Sequence, residues 1–279
     1  MSVVVASLRL APLLLVGCHS VGPASSGRPA QTTEAKRQST DRGTALIEGK
    51  VAPKPLLPHV RVDRVHRIVE VDATVVFDTA FGDQEKVDDD RPPGVWLELV
   101  ACTPHTREYE SLLAVQARPS HIHQALLIVG LVPGAPMRST LVDGKFHATE
   151  PTGGRVAVSI VVNPEAGSEP IPVNRWVIDR QTRRPMTDNV WLFAGSVFRQ
   201  IDGKQVYMAD LNGSVISLVN FGDDLLSRAT MKTPQNDQQM WTADASALPP
   251  EGTPVVIRLK ALDGKSRKSG KQQSKKTGK

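Results

Sequence analysis

Val69-Glu-Val-Asp-Ala-Thr-Val-Val-Phe77 alternates between apolar and other residues: Val69, Val71, Ala73, Val75 and Phe77 against Glu70, Asp72, Thr74 and Val76. Successive side chains of a strand point to opposite faces, so this run reads as a half-buried strand. The same period returns at Val156, Val158, Ile160 and Val162, set against Arg155, Ala157, Ser159 and Val161. It returns again over 253–262, where Val255, Ile257 and Leu259 alternate with Val256, Arg258 and Lys260. Alternation of this kind marks an antiparallel sheet with one face on a core.

The segments between these runs fill in the rest. Residues 95–102 are apolar on both faces apart from Glu98 and read as an interior strand; 111–117 read as another. Pro119-Ser120 then opens a helix, with Ser120 as the expected N-cap. Ile122, Ala125, Leu126 and Val129 fall at i, i+3, i+4 and i+7, and Gly130 and Pro133 end the helix. Residues 191–198 read as a strand, Asp202-Gly203 as a hairpin turn into 205–209, and Asn212-Gly213 as a second turn into 215–219. The expected architecture is a single α+β domain over 59–263, rich in antiparallel sheet, with one or two short helices.

The flanks have a different character. Residues 1–17 carry Arg9 and a short apolar run, Leu10 to Val16 interrupted by Pro12, which is too short to span a bilayer and has the form of a signal segment. Leu15-Val-Gly-Cys18 resembles the lipobox of bacterial lipoproteins, in which the cysteine is lipidated and begins the mature chain. His19 stands where an Asp signals inner-membrane retention, which favours the periplasmic face of the outer membrane. Residues 18–58 read as a flexible tether rich in Gly, Pro, Ser and Thr. Residues 264–279 form a basic tail without a single apolar side chain, expected to be disordered.

Charge follows the same division. The chain has 279 residues and a formal net charge of +5, but its last fifteen residues hold seven Lys and Arg, so the remainder carries −2. The tail suits an anionic lipid or envelope polymer. With no aromatic residues interleaved for base stacking, it does not suit nucleic acid. Residues 81–93, with Glu85, Asp88, Asp89 and Asp90, read as a solvated acidic loop that lacks the spacing of a calcium loop.

Cys102-Thr-Pro-His-Thr-Arg-Glu-Tyr-Glu-Ser-Leu-Leu113 is the most distinctive stretch. With Ala117-Arg-Pro-Ser-His-Ile-His-Gln-Ala-Leu-Leu127, Gly130-Leu-Val-Pro-Gly134, Trp191-Leu-Phe-Ala-Gly-Ser196, Asn212-Gly-Ser-Val-Ile216 and Val219-Asn-Phe-Gly222, it resembles the YdjY-like domain of bacterial envelope proteins. The resemblance brings no established activity. Some members carry a ferredoxin-like label, which implies an iron–sulfur cluster. A cluster needs about four cysteine thiolates, or two with two histidines. The chain has two cysteines, and lipid on Cys18 leaves Cys102 alone, so no cluster is expected. Where the family often places a histidine before the Glu-Ser pair, this chain has Tyr109.

Two chemistries are weighed for the polar residues in this stretch. Cys102 is a nucleophile candidate if it lies beside His105 or His121, with Glu110 in support. His121 and His123, with His105, are candidate metal ligands, although two positions on a helix diverge by about 200°. Trp176, Trp191, Phe193 and Trp241 would stack on sugars if exposed and build the core if not. The favoured reading is a membrane-anchored envelope lipoprotein whose domain is a non-catalytic module for an unidentified protein partner or an envelope polymer. An enzyme using Cys102, or a metal at His105, His121 and His123, is the alternative.

Overall fold

The fold is taken from a computed structural model that describes residues 52–78, 96–143, 145–231 and 241–262. The signal segment, Cys18, the expected tether up to residue 51, the acidic loop and the basic tail lie outside these residues.

In chain order the strands are β1 (Lys54–Leu57), β2 (Val60–Asp63), β3 (Ile68–Val75), β4 (Leu99–Cys102), β5 (Ser111–Val115), β6 (Arg138–Val142), β7 (Lys145–Thr149), β8 (Arg155–Val162), β9 (Ile171–Pro172), β10 (Val177–Asp179), β11 (Trp191–Phe193), β12 (Phe198–Ile201), β13 (Lys204–Tyr207), β14 (Ser214–Ser217), β15 (Leu226–Arg228), β16 (Trp241–Ala243) and β17 (Pro254–Ala261). Among the described residues there are two α-helices, α1 (Pro119–Ile128) and α2 (Met208–Asn212).

Eight strands close into a barrel. The ring runs β3-β17-β8-β11-β15-β14-β4-β5, and β5 pairs back onto β3 through Ala73↔Val115 and Val75↔Leu113. The three alternating runs are β3, β17 and β8, which lie side by side with Val71, Ile257 and Ile160 in register. Register carries the inward face onward through Phe193, Leu226, Ile216, Ala101, Leu113 and Val75, all buried in one core. An eight-stranded barrel is about wide enough for side chains to fill it. Each buried aliphatic or aromatic side chain contributes about 1.5–3 kcal/mol.

The α+β expectation is therefore corrected: the domain is mostly β, a closed barrel with two short helices. Alternation identifies strands but not closure. Closure depends on β3, which pairs β2 along its first half and β5 along its second, and on two parallel pairs, β4–β5 and β14–β15. None of these pairings leaves a local signal in the chain.

Smaller differences have local causes. Among the described residues the first strand is β1, which pairs β2 and lies inside the expected 18–58 tether, ahead of the expected domain start at 59. The expected strand over 191–198 breaks into β11 and β12 because Gly195 and Ser196 take positive φ of 82° and 59°. Asp202-Gly203 does turn the β12–β13 hairpin. Asn212-Gly213 does not make a hairpin: it ends α2, with Gly213 in the left-handed conformation, and a Cβ there would run into Thr106 Oγ1. The N-cap of α1 is Arg118, with Pro119 in the first turn, so Ser120 is already helical. The Ser120 backbone N–H instead donates to Asp210 Oδ1 of α2, at 2.7 Å. At the other end, Arg67 Nε donates to the Val129 carbonyl at 2.9 Å.

Ile122, Ala125 and Leu126 of α1 join the barrel core. Trp176, Trp191 and Phe193 are buried in it as well, and Trp241 packs at its margin. Among the described residues no helix is long and apolar enough to cross a membrane.

Candidate functional site

The Cys–His constellation does not assemble. Cys102 ends β4 opposite Ala114 and Ser214, on the parity opposite to the inward Ala101, and is 0% exposed. Burial pushes its thiol above the usual range, outweighing the polar groups of Ser111, Arg107 and Thr106 that face it. A nucleophilic thiolate needs the reverse shift and an open approach. His105 sits on an exposed turn with φ of 63°, its backbone N–H donating to Glu108. Glu110 accepts from Arg107 at 3.0 Å. Beside it is Glu98, whose carboxyl is pushed up by burial and then by the charge of Glu110, with Arg107 opposing.

The histidines of α1 also separate. His121 keeps a buried Nδ1 with no hydrogen-bond partner, whereas His123 reaches Tyr207. Among the described residues no three His, Cys, Asp or Glu side chains gather closely enough to hold a metal.

A different feature stands out on the surface. The hairpins β6–β7 and β12–β13 flank an open groove with a cavity volume of about 610 Å³. Its cations are Arg138 and Arg199, and its other polar side chains are Ser139, Thr140 and Asn220. Val197, Phe198 and Phe221 supply apolar surface, and Met137 is buried beneath them. Among the described residues neither arginine has a carboxylate partner. Arg107 adds a third cation behind the wall, its guanidinium 4.0 Å from the centre of the Phe221 ring. The lining contains no His, Cys, Asp or Glu.

Two partly buried sets of polar contacts hold the groove in shape. Phe198 is 64% exposed, and its ring centre lies 5.1 Å from that of Tyr207. The Tyr207 hydroxyl donates to the Gly195 carbonyl at 2.9 Å and accepts from His123 Nδ1–H at 2.9 Å. Burial pushes the His123 imidazole down and the Tyr207 phenol up. Behind the 220–222 wall, Asp224 accepts from the Phe221 N–H, and Asn212 donates to Asp223. Burial, with the Asp223 charge adding to it, pushes Asp224 up to about 7, against the nearby Ser217 hydroxyl and the Phe221 N–H.

The sequence reading did not single out Arg138, Arg199 or Phe198. The Asp202-Gly203 turn was its one pointer to a hairpin there, since residues on two hairpins become neighbours only through the tertiary fold.

The YdjY domain matches residues 60–260, which is most of the chain and includes the whole barrel ring and both walls of the groove. The chain belongs to the YdjY domain family. No curated protein and no solved structure is significantly similar to it. In this YdjY domain the stretch that carries the resemblance most distinctly, 102–113, forms β4's end, a covering turn and β5. That stretch is therefore structural in its placement: it buries Cys102 and brings Arg107 to Phe221.

Proposed function

We propose that the chain is a membrane-anchored envelope lipoprotein, held through lipid on Cys18, whose YdjY domain is a non-catalytic binding module. The observation that carries the binding half is the groove lining. It offers charge, hydrogen-bond donors and aromatic surface, and none of its side chains is a general base or an activated nucleophile. The buried thiol of Cys102 and the separated histidines give the enzyme alternative no support. The anchorage half rests on the lipobox-like Leu15–Cys18 and the signal-like run before it. His19 favours the periplasmic face of the outer membrane, and the basic tail is suited to anionic lipid or polymer near the anchor.

The test is fractionation of cells making the full chain or Cys18→Ala. The parent chain should incorporate labelled fatty acid and sediment with membranes. The variant should do neither. A parent chain found soluble and unlabelled would overturn the anchorage. A full chain that co-sediments with no purified envelope component would overturn the binding role.

A further inference from the structure

From the groove between the β6–β7 and β12–β13 hairpins we infer that the domain binds an acidic sugar, with Arg138 and Arg199 on its anionic group and Phe198 under its ring. The inference rests on the binding-module reading and names the ligand of that same groove.

Charge comes first. The chain without its basic tail is slightly acidic, yet two guanidinium groups line one groove with no carboxylate partner among the described residues. Unpaired arginines on an otherwise acidic domain are a local preference for an anion. The planar guanidinium fork fits carboxylate or phosphate oxygens in pairs.

The remaining lining narrows the body that carries the anion. Ser139, Thr140 and Asn220 match ligand hydroxyls. Phe198 presents a largely exposed ring held by Tyr207, and an aromatic face packs well on the C–H face of a pyranose. The groove volume, about 610 Å³, falls within the range of small-ligand sites, roughly 300–1,000 Å³. A nucleic acid would require a longer ladder of cations along its phosphates. A lipid would require an apolar channel for its chains, and this groove is open and lined more by polar than by apolar groups.

Isothermal titration of the full lipidated chain in detergent micelles tests this. The probes are tetragalacturonate (carboxylate), glucose 6-phosphate (phosphate) and maltotetraose (neutral). At least one acidic probe should bind about ten-fold or more tightly than maltotetraose, since a charge-assisted contact contributes about 1.5–3 kcal/mol. Arg138→Ala and Arg199→Ala should each weaken that binding by about ten-fold, and raising salt should weaken it further. Phe198→Ala should weaken all sugars that bind. Both arginines are exposed, so these variants should keep the parent's thermal midpoint. Preference for carboxylate or for phosphate identifies the anion, and either outcome supports the inference. Equal binding of neutral and acidic probes, no binding at about 10 mM of any probe, or arginine variants indistinguishable from the parent would each overturn it. If the chain still co-sediments with envelope material after such a failure, the module reading stands and only the ligand assignment falls.

Discussion

His123 on α1 and Tyr207 at the end of β13 share a hydrogen bond of 2.9 Å, and the same Tyr207 hydroxyl donates to the Gly195 carbonyl. One phenol thus ties the longer helix, the β12–β13 hairpin and the break between β11 and β12. Gly195 has φ of 82°, and a Cβ there would lie 2.8 Å from Pro133 Cβ, so the junction has no room for a side chain. Tyr207→Phe should remove both hydrogen bonds of the hydroxyl and take from the half-buried His123 imidazole its Tyr207 partner, at a cost of about 1–3 kcal/mol. Chemical denaturation reads the stability. The same variant should weaken groove binding, because it frees the ring on which Phe198 leans from the two hydrogen bonds that fix it.

The half-buried His123 gives the fold a pH dependence with a definite sign. The His123 pKa is lowered in the folded state by burial, so folding disfavours its protonated form. Its contribution is fully present above the unfolded value, about 6.5, and is lost as pH falls through the folded value. His123→Gln should flatten the acid side of the stability profile below about pH 6.5, measured by urea midpoints. A profile unchanged in that window would show that His123 is not the group responsible.

Asp224 acts in the opposite direction. Its folded pKa is raised to about 7, so its protonated form is favoured by folding. The contribution is fully present below the unfolded value, near 3.9, and is lost as pH rises through about 7. Asp224→Asn should therefore stabilise the domain at pH 8 relative to the parent, on the order of a few kcal/mol, and much less at pH 4. Thermal midpoints at the two pH values decide it.

Cys102 should react with iodoacetamide far more slowly in the native chain than in urea, because its sulfur is buried and its pKa is raised. Cys102→Ala should cost about 1–2 kcal/mol through lost packing and leave groove binding intact. Rapid alkylation of the folded chain near neutral pH would reopen the enzyme alternative.

Gly153 marks a crossing of three segments. A Cβ there would collide with the Phe193 carbonyl, and the residue's φ is 139°. Gly134 N–H donates to that same carbonyl, at 2.9 Å, while Phe193 N–H donates to the Gly154 carbonyl at 2.8 Å. Gly153→Ala should destabilise the domain by more than about 3 kcal/mol or prevent soluble expression. Gly167→Ala at an open turn should cost much less, although its φ is also positive.

Strand positions were legible where one face meets the core, as at Val69, Val71 and Val75, because burial imposes the two-residue period directly. The helix was legible for the same reason, through Ile122, Ala125 and Leu126. Closure of the barrel was not, since β5 returns to β3 through pairs such as Val75↔Leu113 that leave no trace in either segment alone. Asn212-Gly213 misled because a glycine at positive φ serves a helix end as well as a hairpin. Reading the site from Cys102, His105, His121 and His123 failed to foresee the groove for a further reason. Chemically reactive residue types attract attention in a sequence, whereas Arg138 and Arg199 are ordinary surface arginines until the fold sets two hairpins on either side of one space.

Hydrogen-exchange mass spectrometry of the full lipidated chain, with and without purified cell-wall sacculi, tests the central claim most directly. The account predicts that protection within the YdjY domain is confined to 137–140, 197–199 and 220–222, the three segments that line the groove. Protection centred on 102–110, or spread elsewhere with these segments unchanged, would contradict it.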